Sequence, residues 1–137
     1  MKHPLFDSIF PSDPVYLYSW QDQDETKTEF TVIKDDGELG LKIFYFILDK
    51  NEKPLSITEI AGKGSDYLYW FETRSRFISK DTMLNIGSIT MWYDLNKRKQ
   101  LDSTKGDSTF SYFIISTAGK MTEKVFKEVK DLHFENE

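Results

Sequence analysis

The chain of 137 residues has no cysteine and only two histidines, His3 and His133, both near its ends. Without thiols there are no disulfides, no thiolate metal ligands and no cysteine nucleophile, a composition that fits a reducing, cytoplasmic setting. Metal centres and acid–base machinery draw mostly on histidines held in ordered elements. Two terminal copies therefore point away from a Ser-His-Asp triad, a histidine-dependent nuclease and a metal site, and no cofactor is expected. Long apolar runs are also missing. Nothing approaches the ~20 apolar residues of a membrane span, and the opening MKHPLFDSIFPSDP has no stretch of secretory character. Basic charge is in deficit, with a formal balance of −5. Such a field repels nucleic acid and anionic membranes and attracts a basic partner.

What is present is aromatic, acidic and β-forming. Phe, Tyr and Trp make up 15% of the chain, a share that favours strands and large contact surfaces. The acidity is uneven: residues 1–68 carry 13 acids against 7 lysines, and residues 69–137 carry 10 acids against 11 bases. It peaks between Asp13 and Glu38, where eight acids face only Lys27 and Lys34. Further along, Ile43 to Leu48 is apolar throughout. Ile43, Tyr45 and Ile47 would point one way and Phe44, Phe46 and Leu48 the other, so this strand must be covered on both faces.

The remaining pattern predicts one globular domain over residues 1–137. Its class is mainly β (α+β): an antiparallel meander of about seven strands, as a strongly bent sheet or small barrel, with one C-terminal helix. Leu5, Phe6, Ile9 and Phe10 form an apolar flap among three prolines. Strands are expected at Val15–Trp20, with Tyr16, Tyr18 and Trp20 sharing a face, and at Thr28–Ile33. A tight turn at Asp35-Asp36-Gly37 leads into the central strand. Leu55–Ile60, Tyr67–Ile78, Leu84–Tyr93 and Phe110–Thr117 follow. Gly62-Lys63-Gly64-Ser65 lacks the spacing and following helix of a phosphate-binding loop and reads as a turn. The polar stretch Asp94–Thr109, with Lys97-Arg98-Lys99 inside it, reads as a long solvated loop. Met121, Val125, Phe126, Val129 and Leu132 recur at helical spacing, which predicts an amphipathic helix over about Lys120–Phe134 lying on the sheet.

No set of residues has the spacing of a catalytic constellation, so the expectation is a non-catalytic protein-binding domain. Being small, acidic and single-domain, the chain is similar in these respects to bacterial immunity proteins. That implies an inhibitor neutralising a toxin or other basic partner. The surface expected to carry binding is Tyr18 and Trp20 with the acids Asp22, Asp24 and Glu25, because interface anchors pair aromatic side chains with a charged rim. The competing expectation is a calycin-like barrel, as a binding protein or an enzyme, holding a small apolar or anionic ligand. Trp70, Glu72, Arg74, Arg76 and Trp92 would line its pocket, with two guanidiniums clamping an anion beside an indole.

Overall fold

The strand propensity concentrated in Ile43–Leu48 is realised, in a computed structural model, as the middle of a strand within one antiparallel sheet. The structure describes residues 4–11, 14–37, 40–65, 69–94 and 98–135. A short helix α1 (Pro4–Ile9) precedes β1 (Val15–Gln23), β2 (Lys27–Asp35), β3 (Leu41–Asp49) and β4 (Pro54–Ser65). Then follow β5 (Tyr69–Ser79), β6 (Thr82–Asp94), β7 (Lys99–Ile115) and β8 (Met121–Glu135). Each strand pairs with the next, so the eight form a meander with β1 and β8 as its two edges. The sheet does not close into a barrel. Among the described residues no helix is long and apolar enough to cross a membrane.

Both faces of β3 are buried, as its composition demands. On one side Phe46 and Leu48 join Phe30 and Val32 of β2 beneath Phe10, with Leu5, Phe6 and Ile9 of α1 packed around them. The Phe30 and Phe46 rings stack at 5.3 Å, and Phe6 and Phe10 meet Phe46 edge-on at 5.7 and 6.4 Å. On the other side Tyr45 and Ile47 meet Met83 of β6 and Phe113 and Ile115 of β7. For β6 and β7 to reach β3, the meander has to turn back on itself.

That turn lies between β4 and β5, which pair only over Gly62–Ser65 and Trp70–Thr73. Gly62 and Gly64 are not a hairpin turn; they continue β4 to Ser65. Glycine is required opposite them: at Gly40, with φ of 129°, a Cβ would collide with the Lys63 carbonyl oxygen. Past this corner the halves are joined by polar contacts. Ser75 Oγ lies 2.5 Å from the Ile60 carbonyl and 2.8 Å from Asn85 Oδ1. Asn85 Nδ2 donates to Ser111 Oγ at 3.3 Å, and Ser111 Oγ donates to Glu123 Oε1 at 2.7 Å. Asn85 and Ser111 are buried. A one-residue slip would carry this row to the opposite face and leave its members unpaired, so it pins the register of β5–β8.

Three expectations are corrected. Among the described residues the strands number eight rather than about seven, because the C-terminal segment is itself a strand, and the polar stretch read as a loop is largely the first part of β7, which begins at Lys99 and runs to Ile115. The C-terminal segment is the strand β8, not a helix. It pairs with β7 from Ile115↔Met121 to Ser103↔Glu135, across a turn in which the Ser116 amide donates to the Lys120 carbonyl at 2.8 Å. The helical stripe is a phase slip in an alternating strand. Met121 and Val125 lie opposite the inward residues Ile115 and Ser111, Phe126 is the extra residue of a bulge, and Val129 resumes opposite Ser108 on the other face. Alternation on each side of a bulge spaces the apolar residues as a helix would. Finally, β1 does not keep its three aromatic residues on one face. Its register shifts on either side of Ser19 and Trp20, so Leu17 and Trp20 both pair with residues of the α1 side, Val32 and Phe30.

These placements separate two phenylalanines. Phe46 is fully buried, while Phe126 is 47% exposed. Phe46→Ala should cost about 3–5 kcal/mol, as large-to-small core changes do. Phe126→Ala should cost about 1 kcal/mol, roughly half the effect of uncovering a fully buried side chain. Urea denaturation of the two variants measures the difference; equal losses would mean that β8 is packed as a buried helix after all.

Candidate functional site

β1 is an edge strand most of whose apolar side chains stand in the open. Tyr16, Leu17, Tyr18 and Trp20 are all more than half exposed, Trp20 by 63%. The β-formers needed to pair with β2 are present, but α1 and the folded-back half of the sheet cover β2 and β3 and, of β1, pack only against Val15 at its start. An exposed apolar edge would invite strand addition, and the bulges at Tyr18 and Gln21 interrupt the row of backbone donors and acceptors that would template it. What remains available is a surface of side chains.

The bulges divide that surface. Trp20 lies against Phe30, ring centroids 5.4 Å apart, in a hollow of about 300 Å³ shared with Phe6, Leu17 and Leu48. Tyr18 borders a different hollow of about 280 Å³, with Tyr45, Arg76 and Phe77 across it. Ser19 sits between them, its hydroxyl 2.6 Å from Thr31 Oγ1 and accepting from Gln21 Nε2 at 2.6 Å. Tyr18 and Trp20 are thus neighbouring exposed anchors that look into separate depressions.

The acidic rim is built at the β1–β2 connection. Asp24 Oδ1 accepts from the Thr26 amide and the Thr26 hydroxyl, each at 2.7 Å, and from the Lys27 amide at 2.9 Å. These donors hold the Asp24 carboxyl below the usual aspartate range, the Thr26 hydroxyl contributing most. Glu25 is exposed at the tip. Asp22 pairs through its backbone with Glu29, and its side chain lies outside the described residues. The other acidic cluster, at the β2–β3 turn, is differently placed: Asp36 is held by Lys34 at 2.9 Å and Lys42 at 3.8 Å. The Asp36 charge is compensated within the fold. The β1–β2 connection is the acidic surface that faces outward beside the aromatic edge.

That connection also opens onto a polar cleft of about 430 Å³, lined by Gln21, Asp24, Lys27 and Glu29 on one side and Lys80, Asp81, Ser116 and Thr117 on the other. Glu29 is buried at 7% exposure, with Lys27 Nζ 3.8 Å from its Oε1. Sequence reasoning passed over this cleft. An acid beside the apolar run Phe30–Ile33 was the one local sign of it, and nothing in the sequence links Lys80 or Thr117 to it. Among the described residues no group of three or more His, Cys, Asp or Glu side chains is arranged to hold a metal.

The residues expected to line a barrel pocket sit on an open sheet. Trp70, Glu72, Arg74 and Arg76 alternate with Phe77 and the other β5 residues paired to the Met83 row; Glu72 and Arg74 border a shallow hollow of about 210 Å³ with Leu41 and Ile43, and Arg76 borders the one beside Tyr18. Trp70 is 40% exposed, and Arg74 Nε lies 3.4 Å from Glu72 Oε1 in a solvent-facing ion pair of little net strength. The side chain of Trp92 lies outside the described residues. An open sheet provides these side chains with no barrel interior.

The Asp24 turn makes a pH-dependent contribution that can be isolated. Because its carboxyl value is lowered on folding, the contribution is complete above the ordinary aspartate value, about 3.9. It is lost as pH falls through the lower folded value. Asp24→Ala should therefore lower the melting temperature at neutral pH, and its gap to the wild type should narrow in acid. Asp24→Asn keeps an acceptor oxygen for the turn and should stay close to the wild type at neutral pH. Thermal melts across the acid range test this; a gap between Asp24→Ala and the wild type that is independent of pH would show that the carboxylate's charge is not involved.

No protein-family model, no curated protein and no solved structure matches this chain.

Proposed function

We propose that this chain is a non-catalytic protein-binding domain that holds a basic partner against β1, acting as an immunity-type inhibitor of a toxin or another basic protein. One observation carries the reading: Tyr16, Leu17, Tyr18 and Trp20 stand exposed in one strand that ends in the outward-facing acids of the β1–β2 connection. Burying half-exposed aromatic side chains supplies affinity, and a charged rim steers the encounter. The bulges favour recognition by side chains over strand addition. The Asp36 cluster stands at the far end of β2, about 30 Å away for nine residues. With its charge held by Lys34 and Lys42, it contributes little to the same patch. The barrel reading loses its basis, since the sheet is open and the arginines it relied on face solvent.

The test separates the anchor from the rim. Asp22→Asn, Asp24→Asn and Glu25→Gln together should keep the melting temperature within about 1 kcal/mol of wild-type stability, as surface changes usually do. Position 24 retains its turn acceptor as Asn. Association with a captured basic protein should slow markedly and lose much of its salt dependence. Trp20→Ala should instead raise the dissociation rate. Surface plasmon resonance reads both rates, and capture that is indifferent to both variants and to salt would rule out β1 as the binding surface.

A further inference from the structure

The outer face of β5–β8 carries a second exposed apolar surface with the opposite charge. Two adjacent rows cross the four strands there: Arg76, Leu84, Tyr112 and Lys124 in one, and Arg74, Ile86, Phe110 and Lys127 in the next. Each row begins with an arginine on β5 and ends with a lysine on β8, and all four cations are exposed. Between them lies a floor of half-buried apolar side chains, with Phe126 laid on Tyr112 at 4.6 Å. The floor belongs to neither core cluster. At strand spacings of 4.7–4.9 Å, the cationic margins are about 14–15 Å apart, wide enough to seat one strand with its side chains.

The rings of this floor are already engaged. Phe126 covers Tyr112 at an interplanar angle of 24°, and the Lys127 ammonium stands over Phe110 at 5.4 Å. The chain's formal charge of −5 repels a polyphosphate strand, so the surface fits a short apolar, acidic protein segment better than single-stranded nucleic acid. The chain itself has such a segment: Tyr16, Leu17, Tyr18 and Trp20, followed by Asp22, Asp24 and Glu25. We infer that β1 also engages a second copy of this chain, which is acidic as a whole but receives the β1 edge on its locally basic β5–β8 outer face. This rests on the reading of β1 as a binding surface and adds self-association to it.

The two surfaces belong to different strands, so the contact is heterologous. Each copy offers one edge and one face, and copies add head to tail into rings or open chains.

Complementation between two defective variants tests this. The edge variant combines Trp20→Ala with Asp22→Asn, Asp24→Asn and Glu25→Gln. The face variant combines Arg74→Glu, Arg76→Glu, Lys124→Glu and Lys127→Glu; Gln at the same positions serves if charge reversal prevents folding. Sedimentation velocity from about 1 µM to about 1 mM covers the range of weak affinities. The wild type should assemble with rising concentration and less so with rising salt. Each variant alone should weaken assembly by about tenfold or more. Mixed, the two should form a one-to-one dimer and nothing larger, because only one intact edge and one intact face remain.

A wild type that is monomeric throughout overturns the inference, as does assembly whose variants fail to complement. A monomeric wild type that still loses a captured basic protein through the edge variant overturns self-assembly alone and leaves the β1 reading standing. Binding of a fluorescent single-stranded oligonucleotide that the face variant abolishes, in a protein that does not self-associate, assigns the face to nucleic acid instead.

Discussion

Everything in this architecture depends on covering β3 twice. A strand with Phe44, Phe46 and Leu48 on one side and Tyr45 and Ile47 on the other cannot sit in a one-layer sheet with a wet face. Each fully buried aromatic or aliphatic side chain is worth about 1.5–3 kcal/mol. Leaving either face open would therefore forfeit much of the margin by which a domain this size is stable. Among the described residues there is one short helix, which covers the Phe46 side, and the other side has to be met by the sheet itself. The brief β4–β5 pairing, the collision-free approach of Gly40 to Lys63 and the polar row through Ser75, Asn85 and Ser111 all serve that folding-back.

The same economy explains where the cover ends. α1 and the β6–β7 half reach across β2 and β3, and β1 beyond them keeps its hydrogen bonds to β2, the packing of Val15 on the first core and the contact of Trp20 with Phe30. Edges of this kind usually carry charge or bulges that discourage pairing. β8 follows the first course, with Lys120, Glu123, Lys124, Lys127, Glu128 and Lys130 along or beside it. β1 follows the second and keeps its aromatic residues. A bulged aromatic edge resists unspecific strand addition while still offering side chains, which is what a binding surface needs.

What could be read from the sequence follows from how locally each feature is encoded. Alternation marked β1 to β6, and the two-sided composition of Ile43–Leu48 announced a central, doubly covered strand before any partner was known. The apolar flap at Leu5, Phe6, Ile9 and Phe10 was also legible, since four apolar residues among prolines have no other use. The C-terminal strand was hidden by a single extra residue: the bulge at Phe126 converts a period of two into an apparent helical stripe. The second half of β7 was legible as Phe110–Thr117, while its first half was hidden because it is polar, and strands that gain their hydrogen bonds from two long neighbours need little hydrophobicity of their own. The bulges in β1 likewise undid the shared face assigned to Tyr18 and Trp20. The cleft around Glu29 was illegible because its walls come from turns far apart in the chain.

The aromatic excess now divides into parts with different physical meaning. Phe6, Phe10, Phe30, Phe44 and Phe46 form one core, Tyr45 and Phe113 belong to the second, and the exposed Phe77 meets Tyr45 edge-on at its margin. The aromatic side chains left outward fall into two groups. Tyr16, Tyr18 and Trp20 adjoin acids, while Trp70 and Phe126 share a face with Arg74, Arg76, Lys124 and Lys127. Solvated faces have no need of such sorting, because scattered exposed apolar residues are ordinary. Grouping them mainly with acids in one place and mainly with bases in the other, where Glu72 alone pairs with Arg74, is the arrangement expected when apolar contact provides affinity and charge selects orientation. The near-neutral second half of the chain and its acidic first half are thus two ends of one polarity, with the core of β3 between them.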